Sequence, residues 1–157
     1  MFGNLDKDEI EKVLSHQMIG RIGCYAFDKT YVIPISYAYD GESIYCHTYE
    51  GLKITMMRKN SRVCFEVDSM ENMANWRSVI AWGDFEELIN NEDRKIAIQN
   101  LYKRIIPEVP SKTLQFSPQW PFPPDDFENV KGIVFRIRLY DKTGRFEKSD
   151  TPDFSCI

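Results

Sequence analysis

Short runs rich in β-branched and aromatic residues, separated by tight polar turns, constrain the fold of this chain most strongly. The clearest turn is Asp40-Gly41, because both residues tolerate the positive backbone angle φ that a tight hairpin requires. The runs predict consecutive, mostly antiparallel strands over residues 20–27, 31–39, 43–48, 62–69, 77–88 and 132–141. This order favours a mainly β fold with flanking helices (α+β), built as a small closed or partly split antiparallel β-barrel.

Helical spacing marks three further segments. Asp6 and Glu9 have the spacing of a capping box, which predicts a helix that ends near His16. Residues 52–59 predict a short helix after a glycine turn. Residues 92–105 carry apolar side chains among charged ones at the spacing of an amphipathic helix.

Composition predicts a single domain over residues 1–157. A chain of 157 residues with 43% hydrophobic content suits one compact unit with its own core. Six of its eight prolines lie within residues 107–124, so we expect a Pro-rich loop over 106–130. We expect an irregular C-terminal tail over 142–157.

Charge and hydropathy limit the partners. A net charge of −4 and a pI near 5.3 argue against a general binder of nucleic acids or anionic membranes, which uses a clustered basic face. No apolar run is long enough to span a bilayer, and the first ten residues are charged rather than signal-like. We therefore expect a cytoplasmic protein with no nucleic-acid or membrane partner.

Cysteine and histidine usage bears on disulfides and metals. The four thiols are widely spaced and form no C-x-x-C pair, which favours reduced cysteines over a disulfide framework: Cys24, Cys46, Cys64 and Cys156. With only His16 and His47, a histidine-based metal site is poorly supplied, and no metal ligands are predicted.

The segment from His47 to Lys53 has the form of a phosphate site. His47 and Thr48 end a strand, Gly51 allows a sharp turn, and Lys53 lies in the first turn of the following helix. A helix start presents unpaired N–H groups and the positive end of the helix dipole, so an anion is favoured there. The alternative is that Lys53 is simply a solvated helix charge. His47 could donate to a phosphate or supply a proton near neutral pH, or act as a structural hydrogen bonder.

Pro34 and its neighbours form a second candidate element. Proline lacks an N–H group and belongs on a strand edge, where backbone groups of Ile33, Ile35 and Ser36 could stay free to bind the polar edge of a planar heterocycle. The alternative is an ordinary edge-strand proline.

A third candidate element is Trp76-Arg77-Ser78. Arginine can hold a phosphate through two parallel N–H bonds, and tryptophan can lie against an aromatic ring. The alternative is a core tryptophan beside a surface arginine.

The order and spacing of these motifs resemble those of the pyridoxamine 5′-phosphate oxidase-like FMN-binding split-barrel proteins, in particular their nitroimidazole-resistance (Nim-type) branch. The matching motifs are GRIG at 20–23, PISY at 34–37, IYCHT at 44–48, GLK at 51–53, residues 60–67 and WRSV at 76–79. The resemblance implies a homodimer with two FMN molecules in its interface. It also implies cofactor contacts at Pro34, Ile35, Ser36 and Tyr37, at His47, Thr48, Gly51 and Lys53, and at Trp76, Arg77 and Ser78.

The predicted function is that of an FMN-dependent oxidoreductase. Electrons would pass from a reduced nicotinamide, NAD(P)H, or another donor to a small electrophile such as a nitroaromatic, with His47 as the catalytic residue that assists by position or by proton supply. The alternatives are a non-catalytic FMN-binding or stress-response protein and a pyridoxamine 5′-phosphate oxidase-like oxidase. The chain lacks the arginine-rich C-terminal segment of true pyridoxamine phosphate oxidases. Deazaflavin or haem could replace FMN, although two histidines offer few axial ligands.

Overall fold

Eight strands and three helices lie in the described part of the chain, residues 1–104 and 130–149 of the computed structural model. The strands are β1 (Phe2–Asn4), β2 (Ile19–Ala26), β3 (Lys29–Ser36), β4 (Ala38–Tyr39), β5 (Ser43–Thr48), β6 (Arg62–Asn72), β7 (Asn75–Glu87) and β8 (Ile133–Glu147). The helices are α1 (Lys7–His16), α2 (Leu52–Lys59) and α3 (Asn91–Lys103). The predicted mainly β, antiparallel architecture with flanking helices is confirmed.

The connection between β3 and β4 forces the sheet to close on itself. The strand order is β3-β2-β6-β7-β8-β5-β4, with every pair antiparallel and β1 added on β8. In a flat sheet β3 and β4 would lie six strand spacings apart, roughly 29 Å. Only Tyr37 separates them in the chain, and one residue spans at most about 7 Å between its neighbours. The sheet therefore curls into a barrel.

The barrel interior holds the core, and α1 covers one opening. Tyr37 and Phe65 are fully buried and meet edge to face, with ring centroids 4.8 Å apart. The Tyr37 hydroxyl donates to the Leu14 carbonyl at 2.6 Å, which ties α1 to the barrel. The capping box predicted at the start of α1 is present, because Asp6 and Glu9 each accept from the other's backbone N–H.

The predicted hairpin turn is also confirmed. Gly41 has φ +100°, and the Asp40 side chain accepts from the backbone N–H groups of Glu42 and Ser43 at 2.9 and 2.8 Å. The turn joins β4 to β5, so the predicted strand over 31–39 is in fact two strands with different partners.

The last strand is longer than its alternating pattern indicated. β8 runs to Glu147, so residues 142–147 are strand and the prediction of an irregular tail from 142 was wrong for them. The strand continues because β8 is paired with β7 along nearly the whole length of β8, and β1 pairs with the end of β8. The rest of that tail, from residue 150, and nearly all of the predicted loop over 106–130 lie outside the described residues.

The described cysteines are free thiols. Cys24 and Cys46 are buried and Cys64 is half-buried, while Cys156 lies outside the described residues. None of the helices described in residues 1–104 and 130–149 has the length and apolar character needed to cross a membrane.

Candidate functional site

The turn from β5 into α2 forms an electropositive corner, here called the α2 corner (residues 47–53). Gly51 is the N-cap of α2 with extended backbone and no side chain to accept from the helix N–H groups. The first turn contains no acidic residue, and Lys53 is half-buried within it. Free N–H groups, the helix dipole and a cation thus coincide, which is the chemistry of a phosphate site.

Lys53 lies close enough to the β5 interior to act electrostatically on a buried group. Burial raises the pKa of the fully enclosed Cys46 thiol, and the charges of Arg104 and Lys53 oppose that rise. The Cys46 thiol stays neutral at pH 7 and cannot compensate the lysine charge. Lys53 also forms no ion pair with another described residue.

Arg58, at the other end of α2, is hydrogen-bonded to two carboxylates. It bonds Glu87 through Nε and Nη2 at 2.9 Å each, and it bonds Glu50 through Nη1 and Nη2 at 3.0 and 2.8 Å. Hydrogen bonds to Glu87 and Glu50 raise the pKa of Arg58, and the bond to Arg58 lowers the pKa of Glu87. Arg58 therefore anchors the turn before Gly51 instead of offering a free charge.

His47 is built into the wall of the barrel. Its side chain is only 3% exposed, and Nε2 lies 2.6 Å from the Lys131 carbonyl, so Nε2 carries the proton because a carbonyl can only accept. The ring also meets Tyr49 edge to face at 5.4 Å. Gly132, with φ +95°, lets the backbone pass the imidazole, because a Cβ there would lie 2.7 Å from Nε2. The neighbouring Thr48 is 2% exposed.

The predicted heterocycle-binding segment lies at an edge of the sheet. β3 pairs only with β2 among the described strands, so Pro34, opposite Arg21, lies on an edge strand as predicted, and it is exposed. Ile35 is buried and Ser36 is half-buried at the end of the strand. Tyr37 points into the core, so only its backbone is placed to contact a ligand beside β3.

Trp76, Arg77 and Ser78 open β7, and two of them already have partners. Trp76 Nε1 donates to Glu147 at 2.9 Å, and the Ser78 hydroxyl donates to Glu66 at 3.0 Å. Arg77 is exposed, lines two adjoining cavities of about 260 Å³ each, and forms no ion pair with a described residue.

One chain does not bring the three predicted elements together. His47 pairs with Val134 on β8, level with the Glu87 end of β7, whereas Arg77 lies at the opposite end of β7. Ten residues of extended strand separate Arg77 from Glu87, or roughly 30 Å. The α2 corner and Arg77 of the same chain therefore lie near opposite ends of β7.

The structure also contains a charged site that the sequence did not single out. Arg104, just after α3, is a partly buried cation whose only hydrogen bond to a described residue goes to the Met18 carbonyl. Its sequence context is an ordinary helix end rich in cations, so no local pattern marked it. Among residues 1–104 and 130–149, no group of His, Cys, Asp and Glu is placed to hold a metal ion.

The closed antiparallel sheet with a gap between β3 and β4 defines the class of this protein as a split β-barrel. The chain belongs to the pyridoxamine 5′-phosphate oxidase family, whose model matches residues 6–146. The family predicted from the order of the motifs is thereby confirmed. An uncharacterized protein of Rhizobium meliloti is 31% identical over 84 residues, 54% of this chain and 56% of that protein. The chain thus spans just over half the length of that relative.

Solved structures share the fold over nearly the whole chain. An FAD-binding protein from Mesorhizobium loti matches with a TM-score of 0.71 at 28% identity, covering 94% of this chain and 99% of that chain. A candidate 5-nitroimidazole antibiotic resistance protein from Bacteroides thetaiotaomicron matches with a TM-score of 0.71 at 19% identity, covering 93% and 87%. An FAD-binding protein from Mycobacterium smegmatis matches with a TM-score of 0.66 at 20% identity, covering 94% and 100%. The last two matches are evidence for the fold alone.

Proposed function

We propose that this protein is a dimeric flavoprotein that binds FMN and transfers electrons to a small electrophile such as a nitroaromatic. The observation that carries the proposal is the uncapped start of α2 beside Lys53, in a protein of the pyridoxamine 5′-phosphate oxidase family. The similar structure from Mesorhizobium loti, described as an FAD-binding protein, supports a flavin as the cofactor class. A cytoplasmic location remains a prediction from the sequence.

The residues present fit a flavin phosphate. The N–H groups at the start of α2 and the ammonium of Lys53 can donate to phosphate oxygens, and Thr48 borders the same turn. The exposed side of β3 at Pro34 and Ser36 offers an unpaired strand edge for the polar edge of the ring. When bound, the flavin supplies the redox chemistry, while the protein orients it and controls access.

Two copies of the chain would supply the complete site. On the outer face of the sheet, two apolar groups flank the ion pairs of Arg21 with Glu66 and Asp68. They are Ile19, Tyr25, Val32 and Pro34 on β2 and β3, and Ile80 and Trp82 on β7. Ile19, Tyr25 and Val32 are 58%, 50% and 60% exposed, which suits a surface covered by a second copy. A two-fold dimer can then place Arg77 of one chain beside the α2 corner of the other.

A titration with FMN, FAD and riboflavin tests the cofactor assignment. FMN should bind more tightly than riboflavin, because only FMN presents a phosphate to Lys53 and the start of α2. Equal affinity for FMN and riboflavin would reject the phosphate site. Tighter binding of FAD than of FMN would reassign the cofactor within the flavin class.

Light scattering of the flavin-loaded protein tests the dimer. We expect a homodimer that releases FMN on dilution, and Val32→Glu should weaken both dimerisation and FMN binding. Ile96→Glu, on the surface of α3 and 47% exposed, is the control and should change neither. A monomer that retains FMN would overturn the shared site.

Turnover distinguishes an oxidoreductase from a flavin-binding module. The bound flavin is reduced without oxygen, by NADH, NADPH or dithionite, and is then mixed with a nitroaromatic or a quinone. Faster reoxidation with an acceptor supports electron transfer. Failure of every acceptor to accelerate reoxidation would favour the storage or stress-response alternative.

A further inference from the structure

A cavity of about 330 Å³ lies between the C-terminal ends of α1 and α3, and we propose that it binds a small organic carboxylate. Its walls combine apolar and cationic side chains, including Leu14, Met18, Tyr37, Asn100, Lys103 and Arg104. Among the described residues that line it there is no Asp or Glu. The site is separate from the α2 corner and does not depend on the flavin proposal.

Arg104 is the central group of the cavity, because its partly buried charge has no carboxylate partner among the described residues. Its Nη1 donates to the Met18 carbonyl at 3.0 Å, and its Nε is buried without a hydrogen-bond partner. No carboxylate of residues 1–104 or 130–149 forms an ion pair with it. A guanidinium enclosed in this way loses hydration without gaining a counter-charge, which is unfavourable unless an anion binds.

The groups around Arg104 cannot supply that counter-charge. The ionised forms of Cys46 and Tyr37 would favour the Arg104 charge, but burial raises the pKa of both, so both are neutral at pH 7. Burial correspondingly lowers the pKa of Arg104. The Met18 carbonyl contributes a dipole but no net charge.

The ends of the two helices explain only part of this arrangement. A cation at a helix C-terminus is favourable because of the helix dipole, and Lys103 at the end of α3 needs no other reason. Helix dipoles do not explain an enclosed Nε without a partner. A carboxylate in the cavity would bond the remaining donor of Arg104, Nη2, with Lys103 as a second cation and Asn100 at the rim.

The cavity also indicates the rest of the ligand. Met18, 41% exposed, and the half-buried Tyr39 offer apolar and aromatic wall, so the ligand class is a carboxylate with a small apolar body. Benzoate has this chemistry, and benzamide has nearly the same shape without the charge. The pair separates recognition of the anion from filling of the cavity.

Isothermal titration of the full-length protein with benzoate and benzamide tests the inference. Benzoate should bind at least about tenfold more tightly than benzamide, since a charge-assisted hydrogen bond is lost in the amide. Arg104→Gln should weaken benzoate binding about tenfold to a hundredfold and leave benzamide binding nearly unchanged. Arg94→Gln is the matched control, because Arg94, on α3, donates like Arg104 to a backbone carbonyl, that of Val130, at 2.7 Å.

Several results would overturn the proposal. They are no binding of benzoate, equal binding of the two compounds, or benzoate affinity that is the same in Arg104→Gln and the parent. If circular dichroism shows that Arg104→Gln is unfolded, Lys103→Gln replaces it, and unchanged benzoate affinity in that variant also rejects the site. The titrations use flavin-free and flavin-loaded protein, so a failure of FMN binding is distinguished from a failure of this cavity.

Discussion

The α2 corner and the start of β7 are both polar, but they differ in how much of their polarity is already satisfied. At the corner, the α2 N–H groups lack a side-chain cap and Lys53 has no described ion-pair partner. At the start of β7, Trp76 and Ser78 donate to Glu147 and Glu66, which leaves Arg77 as the group with capacity for a ligand.

This difference shows why a pattern of polar residues in the sequence is not by itself a site. Groups that satisfy each other stabilise the fold, whereas groups held without partners are prepared for a ligand. Lys53, on α2, lies near the Glu87 end of β7, whereas Arg77 lies at the other end of that strand. The following experiments therefore test whether one binding site takes these two cations from two different chains.

The largest effect is expected when both cations are removed. The double variant Lys53→Ala/Arg77→Ala should nearly abolish FMN retention, measured by gel filtration of the loaded protein. A sharper test mixes the two single variants after reversible dissociation. If each site takes Lys53 from one chain and Arg77 from the other, every heterodimer regains one site with both cations. No recovery on mixing would place both residues in the same chain's site or neither in it.

The single substitutions should each have a smaller effect. Lys53→Ala and Arg77→Ala remove one charge-assisted contact worth about 1.5–3 kcal/mol, so FMN affinity should fall about tenfold to a hundredfold with riboflavin affinity unchanged. Lys59→Ala, at the last residue of α2, is the control and should bind FMN like the parent. If Lys53→Ala and Arg77→Ala also behave like the parent, both side chains are ordinary solvated charges.

Substitution of His47 separates a structural role from proton supply. His47→Ala removes the bond to the Lys131 carbonyl and should lower the free energy of unfolding by about 1–3 kcal/mol, measured in urea, whereas His47→Gln keeps a donor and should lose less. Proton supply predicts that turnover falls more than FMN binding in both variants. An equal fall in binding and turnover would assign His47 to holding the corner.

The smallest effect concerns the ion pairs that anchor the corner. Hydrogen bonding to Arg58 lowers the pKa of Glu87 below its ordinary value of 4.5. This contribution to stability is therefore present above pH 4.5 and is lost as the pH falls through the lower, folded-state pKa. Glu87→Gln should reduce FMN affinity about twofold to fivefold at pH 7. The further loss of FMN affinity as the pH is lowered should be smaller in this variant than in the parent protein. An unchanged acid profile would show that Glu87 does not support the corner.

Local chemistry was sufficient to predict most elements. The capping box at Asp6, the hairpin at Asp40-Gly41 and the helix after Gly51 each depend on residues within a few positions of one another. The family followed from the order of several such elements, and the family match confirms it. Strand ends were less accurate where polar residues interrupt the alternation, as at 142–147 of β8, because pairing with β7 and β1 maintains the strand there.

The tertiary structure alone decided which polar groups are free. Nothing near Arg58 in the sequence shows that Glu87 neutralises it, and nothing near Arg104 shows that no described carboxylate does. The separation of Arg77 from the α2 corner likewise depends on the register of β7 with β8. Residue types and local spacing determine secondary structure because the interactions that form helices and turns join residues that are close in the sequence. Charge compensation and burial join distant residues, so they exist only once the barrel has closed.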